Sequence, residues 1–383
     1  MATGRRFSWM QGGPLFELLP RLRLLDARGR VRGVRLGLAL WLPIAVAALV
    51  RFAAGRPVDP IVYDLSLHTR LLVAIPMFFW SERLVERATA SAVESLRAGT
   101  FCDARALDPI FEHAARLRDA WWAEAILAAI ALVGGQLALW QITGATGVFH
   151  GSTGPIRWSF SRAWFVGFAL PVMQFLMFRW LWHWGVWSYV LAKIAALPLD
   201  PLATHPDLAG GLACLSRPVS GFAGFAFAIS SILAGAFGSK LIAGRLVLEQ
   251  LLPEITLFLL VTAGVAVAPL LLFSGHLYRA RRRALKQYGD FADRYTRAFH
   301  NKWIETGADA REALGTPDIQ SLSDLGNAYS VVSQTRLFVF GMRSLLAVWA
   351  AAIGPMLPLL ASQFTVEEML KRIATAILGG LPL

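Results

Sequence analysis

Three groups of residues in this chain have types and spacings that could do chemistry. Arg179 and His183 stand four residues apart, so a helix places them on one face. Charge inside an apolar segment is costly and often functional. The pair therefore reads either as a binding or conduction site, or as an anchor whose long arginine snorkels to the membrane edge. The second group is the run His205, Pro206, Asp207, Gly210 and Gly211. Asp207 can cap the helix that follows, and the glycines permit a tight turn. Alternatively, His183, His205, Asp207 and His276 converge at one end of the protein on an ion or an anionic headgroup. The third group is Asp64, His68 and Arg70. Here a carboxylate one turn from an imidazole would favour the charged histidine and could sense pH, unless the pair is simply solvated at an interface.

Enzyme signatures are missing. The chain has no H-E-x-x-H zinc helix, no G-x-x-x-x-G-K-[ST] phosphate loop and no G-x-S-x-G nucleophile elbow. Ser220 lacks the upstream glycine of a rhomboid-like nucleophile. Ser274-Gly275-His276 matches one fragment of a lipid-phosphatase signature without its partner blocks. Cys102 and Cys214 are far apart and form no C-x-x-C, so neither a disulfide framework nor a thiolate metal site is expected. No catalytic residue, metal or cofactor is expected.

The elements that position these groups are membrane helices. Of 383 residues, 56% are hydrophobic and only 16% charged, well below the charge content of soluble domains. A span needs about 20 mostly apolar residues to cross about 30 Å of hydrocarbon. Six segments qualify: Leu36–Ala53, Trp121–Ile142, Trp164–Trp184, Val219–Gly238, Ile255–Tyr278 and Phe338–Leu360 within 337–362. A seventh, Leu65–Val85, has a short clean core and contains Pro76. The expected fold is thus an all-α polytopic transmembrane bundle of about seven spans, six of them clear.

Sidedness argues for the seventh span. The formal net charge is +12, and the basic residues, mostly arginine, cluster beside apolar segments. Such charge favours the cytoplasmic side and anionic lipid, so we expect headgroup contacts and no nucleic-acid partner. If Leu65–Val85 crosses, the basic stretches Arg83–Arg118 and Arg279–Lys286 fall inside with the N-terminal segment, and the C-terminus falls outside. The arginine and alanine bias suggests a bacterium, and so its inner membrane.

Outside the spans, residues 1–35 form a basic segment with an interfacial helix over Leu15–Leu25 and no cleavable signal. Residues 86–119 form inside helices. In the cytoplasmic segment 279–336, Tyr288, Phe291, Tyr295 and Phe299 mark one face of a helix that Gly307 ends. Residues 363–383 carry a second amphipathic helix over Thr365–Leu378. Gly224, Ala228, Ser231, Gly235 and Gly238 form a small-residue seam for close helix packing, its partner unspecified.

Several runs carry a resemblance: His205-Pro206-Asp207-Leu208-Ala209-Gly210-Gly211-Leu212, Asp64 with His68-x-Arg70, Arg179-Trp180-Leu181-Trp182, and Leu314-Gly315 followed by Gln320-Ser321-Leu322-x-Asp324-Leu325. The chain resembles uncharacterised bacterial multi-pass inner-membrane proteins with a His-Pro-Asp-x-Ala-Gly-Gly-Leu loop. This implies a shared organisation and no catalytic role. Two functional expectations remain. One is a non-catalytic envelope scaffold or sensor working through cytoplasmic helices, as a homo-oligomer or with a membrane-protein partner. The other is a transporter- or channel-like protein for a small solute or ion, using Gln174, Arg179, His183, Ser230 and Ser231, with Pro43, Pro76, Pro171 and Pro269 breaking helices at a site.

Overall fold

The computed structural model describes residues 33–99, 103–144, 159–244, 247–307, 311 and 315–361. The helices expected at Leu15–Leu25 and Thr365–Leu378, and Cys102, lie outside these residues. The described chain is all-α. Its bundle helices are α1 (Gly33–Ala53), α2 (Leu65–His68), α3 (Ile75–Ala98), α5 (Trp121–Gly144), α6 (Phe160–Trp164), α7 (Leu170–Ala195), α8 (Arg217–Ile242), α9 (Leu248–Leu271), α12 (Met342–Ile353) and α13 (Leu357–Ala361). Outside them stand α4 (Ala104–Arg118), α10 (Ser274–His300) and α11 (Pro317–Gln334).

Lipid is the solvent these helices are built for. Val34, Leu38, Leu42 and Val46 recur at four-residue steps along α1, and all are exposed. Ile126 and Ile130 on α5, Leu257, Leu260 and Val261 on α9, and Leu346, Ile353 and Leu357 near the C-terminal end do the same. An apolar exterior of this extent has no place in water. Among the described residues, five segments are long and apolar enough to cross a membrane: Gly33–Ala53, Phe160–Ala195, Ala213–Ile242, Leu248–Leu271 and Met342–Leu359. The chain is therefore a membrane-embedded helical bundle.

Three expected boundaries are corrected. The segment Ile255–Tyr278 is not one helix, because α9 ends at Leu271 and α10 starts at Ser274. The segment Trp164–Trp184 is only the middle of an apolar stretch running over Phe160–Ala195. Residues Leu337–Phe340 are non-helical, and the last span starts at Met342.

The expected seventh span is not among the five apolar segments, yet it lies at the centre of the bundle. α2 and α3 join through a π turn at Thr69–Ala74 into one continuous rod. Pro76 follows that turn, and Pro171 follows a second π turn at Phe165–Ala169 between α6 and α7. A proline has no N–H and collides with the carbonyl four residues back. The wider turn relieves this without ending the helix. Pro76 and Pro171 therefore reshape helices that continue through them.

α8 packs antiparallel along the whole rod, and its small residues explain how. A Cβ at Gly221 would lie 2.7 Å from the Val85 nitrogen, and one at Gly224 would lie 2.8 Å from the Ser81 Cβ. At the other end, a Cβ at Gly235 would meet Ser66 Cα at 3.0 Å, and Gly238 faces Leu65. The seam expected from the sequence thus packs within the chain, against α2 and α3. Trp180, Trp184, Phe222 and Phe225 fill the space between α7 and α8, with Trp180 stacked on Phe225 at 4.0 Å between ring centres.

α10 continues through a π turn at Asn301–Glu305 and, after Gly307, the chain returns along α11. Gly307 has φ +61°, which suits the glycine that closes a helix. The resulting two-helix arm has a long limb of about 48 Å at 1.5 Å per residue. Ala284 and Val332 are buried in its seam with Ala203. At its tip, Lys302 Nζ and Trp303 Nε1 donate to Asp318 Oδ2 at 2.6 and 3.0 Å.

Candidate functional site

Arg179 is fully buried, and it is not an anchor reaching for headgroups. Its Nη1 donates to Glu82 Oε1 at 2.8 Å, and its Nε donates to Glu124 Oε1 at 3.1 Å. Glu82 comes from α3 and Glu124 from the first turn of α5, so the triad ties three helices together. Its level matches the expected interface, since Glu124 lies one turn from Trp121, and Trp122 meets Trp182 edge-on. His183 is also buried and lies within electrostatic reach of Arg179 and Arg118. Neither Glu82 nor Glu124 was singled out from the sequence. The available signal was charge balance: an arginine within an apolar helix requires a carboxylate, and these two stand at the ends of neighbouring apolar segments.

The third group does not form its expected pair. Asp64 Oδ1 caps α2 by accepting from Ser66 N at 2.9 Å, and it also accepts from Ser239 Oγ at 2.6 Å. His68 Nδ1 accepts from Trp41 Nε1 at 2.9 Å, and Nε2 donates to the Val62 carbonyl at 2.7 Å. With Nδ1 accepting from Trp41, Nε2 is the ring nitrogen that donates. Arg70 is half-buried in the π turn. Close by, buried Asp59 bonds Ser159 and lies 3.8 Å from Arg162, a latch that sequence reasoning missed.

His276 lies apart from the other histidines. Its Nε2 donates to the carbonyl of Ala195 at 2.9 Å, satisfying an orphan acceptor at the end of α7. His183, His276 and the His205–Asp207 pair thus have separate surroundings and do not converge. Among the described residues, no three His, Cys, Asp or Glu side chains gather to hold a metal ion.

The His205–Asp207 loop lines a cavity. Asp207 Oδ1 accepts from Ala209 N and Gly211 N at 2.8 and 3.1 Å, and Oδ2 accepts from Ala213 N at 3.1 Å. His205 Nδ1 sits 2.8 Å from Oδ1. Partial burial alone would raise the Asp207 carboxyl. The three backbone N–H groups and His205 outweigh it and hold the carboxyl below its ordinary range. Leu208, Gly210 and Gly211 have φ of 56°, 64° and 90°. A Cβ at Gly210 would lie 2.5 Å from the Pro201 Cβ, so this position needs glycine for space as well as conformation.

The cavity, of about 530 Å³, is lined by Ser95, Leu202, His205, Asp207, Cys214 and Arg217 among others. Arg217 was not expected from the sequence. Its Nη1 donates to Ser91 Oγ and Ser95 Oγ at 2.7 and 2.9 Å, which fixes the guanidinium against α3. The chain matches no known protein family, no curated protein and no solved structure.

The loop is also the root of the arm. Arg336 N donates to the Leu208 carbonyl at 2.7 Å, and Thr335 Oγ1 donates to the Ala203 carbonyl at 2.9 Å. Arg281 Nη2 closes the base of the arm on the Ser333 carbonyl at 2.8 Å. One short segment therefore touches the cavity on one side and the arm on the other.

Proposed function

We propose that this protein is a non-catalytic scaffold or sensor of a bacterial inner membrane, acting on a partner through its two-helix arm. The attachment of Leu208 to Arg336 carries this reading, because it couples the cavity-lining loop directly to the base of the arm. The arm presents Phe291, Ile304, Ile319 and Tyr329 to its surroundings, half exposed or more at the first two. The arginine run Arg279, Arg281, Arg282 and Arg283 begins the arm at the membrane and supports a cytoplasmic location, with the N-terminus inside and the C-terminus outside. Anionic headgroups of the inner leaflet are then its neighbours, and a second copy or another membrane protein is its partner.

The transport reading has less support. Arg179 is occupied by two carboxylates, Ser231 Oγ bonds the Phe227 carbonyl at 2.8 Å, and Ser230 bonds the Ala352 carbonyl. Arg179 and Ser230 thereby join neighbouring helices, and Ser231 bonds back within α8. A photo-crosslinker placed at Phe291 or Ile319 in native membranes tests the proposal. A discrete protein adduct is expected at these positions and not at Leu257, which faces lipid. Equal labelling of arm and lipid-facing positions sinks it. Solute flux in reconstituted vesicles that is lost in Arg179→Ala would favour transport instead.

A further inference from the structure

The cavity beside the His205–Asp207 loop has a built charge pattern. Among the described residues that line it, the one carboxylate, Asp207, is used up by three backbone N–H groups. The donors that line it are the Arg217 guanidinium, the His205 imidazole and the Ser95 hydroxyl. Arg217 commits only Nη1 to the serines, so Nη2 and Nε make no hydrogen bond among the described residues. His205 turns Nδ1 to Asp207, which leaves Nε2 as the ring nitrogen able to reach a ligand, on a side chain about half exposed. A guanidinium fork held in place is the side chain best matched to a phosphate group. The volume, about 530 Å³, is ample for one phosphate and its substituent.

Arg217 begins α8, a helix within a segment long and apolar enough to cross a membrane, so the cavity lies at an end of that segment, on the arm side. From these observations we propose that Arg217, His205 and Ser95 form a binding site for a phosphate group, carried by an anionic lipid headgroup or free in solution. This rests on the sensor reading only for its consequence. An occupant would bear on the segment His205–Gly211, whose Leu208 carbonyl holds Arg336 and hence the arm.

The test uses the full chain in nanodiscs and two probes. The first is inorganic phosphate, titrated calorimetrically in phosphatidylcholine discs. The second is retention of phosphatidylglycerol over phosphatidylcholine, read by native mass spectrometry. Saturable phosphate binding that Arg217→Gln weakens at least about tenfold, as loss of a charge-assisted bond requires, identifies a soluble anion. Phosphatidylglycerol retention lost in the same variant identifies a headgroup. If neither probe depends on Arg217, the proposal is overturned. Because Arg217 also ties α8 to α3, His205→Gln serves as a second variant that leaves that contact intact, and unchanged binding in it likewise overturns the proposal. Hydrogen exchange over residues 274–336 with and without the probe is read separately. Binding without a change in the arm refutes the sensor reading and leaves the site standing.

Discussion

Arg179 on α7 donates to Glu82 on α3 at 2.8 Å in the protein interior, with Glu124 on α5 completing the triad. Breaking a buried pair from one side costs about 3–5 kcal/mol, because it strands uncompensated charge. Arg179→Leu strands two carboxylates and is expected to lose at least that much, read as thermal unfolding in detergent. Adding Glu82→Gln should recover part of the loss. If the double variant is as unstable as the single one, the residues do not act as a unit.

Two glycines, Gly221 in the seam of α8 and Gly264 on α9, are expected to respond in opposite ways. At Gly221 an added methyl collides with backbone atoms of Val85. Gly221→Ala is therefore expected to cost about 1–3 kcal/mol, the usual range for overpacking. Gly264 on α9 has nothing within 4 Å of a built Cβ. Gly264→Ala should be neutral or slightly stabilising. Equal effects at the two positions would argue against direct contact between α8 and α3.

Pro269 lacks the N–H that would bond the Val265 carbonyl, and Trp184 Nε1 donates to that carbonyl instead, at 3.1 Å. Trp184→Phe leaves the acceptor without a donor, at a cost of about 1–3 kcal/mol. Pro269→Ala supplies a backbone N–H to the same carbonyl. The double variant should thus be more stable than Trp184→Phe alone, which a double-mutant cycle of unfolding free energies will show.

Asp207 predicts a dependence on pH with a definite sign. Its folded carboxyl titrates below its ordinary range, so it contributes stability that is fully present above the unfolded value, near 4. That contribution fades as pH falls through the lower folded value. Unfolding midpoints of the wild type should therefore drop more steeply below about pH 4 than those of Asp207→Asn. Parallel curves would mean that the loop does not depend on this carboxylate.

The sequence by itself determined that this is an all-α membrane protein, because that conclusion needs only composition and apolar runs. Six apolar runs read as clear spans in the sequence, and among the described residues five segments are long and apolar enough to cross a membrane. The sequence also determined the seam positions Gly224, Gly235 and Gly238, which follow from local spacing, whereas Asp207, expected to cap the next helix, binds the N–H groups of Ala209, Gly211 and Ala213 and is the N-cap of neither helix that follows. The tertiary structure decided which helices meet. The rod of α2 and α3 carries Arg70, Ser81 and Glu82, and its hydropathy is poor because it faces protein, where Gly221, Gly224 and Gly235 approach it, and not lipid. Hydropathy reports the preference for lipid and is blind to a helix whose solvent is other helices. The same reason hid the triad. Glu82 and Glu124 lie 97 and 55 residues from Arg179, and only the packing of three helices brings their charges into hydrogen-bond distance. Arg217 joined the His205–Asp207 loop in this way too, through α3 serines more than 120 residues away.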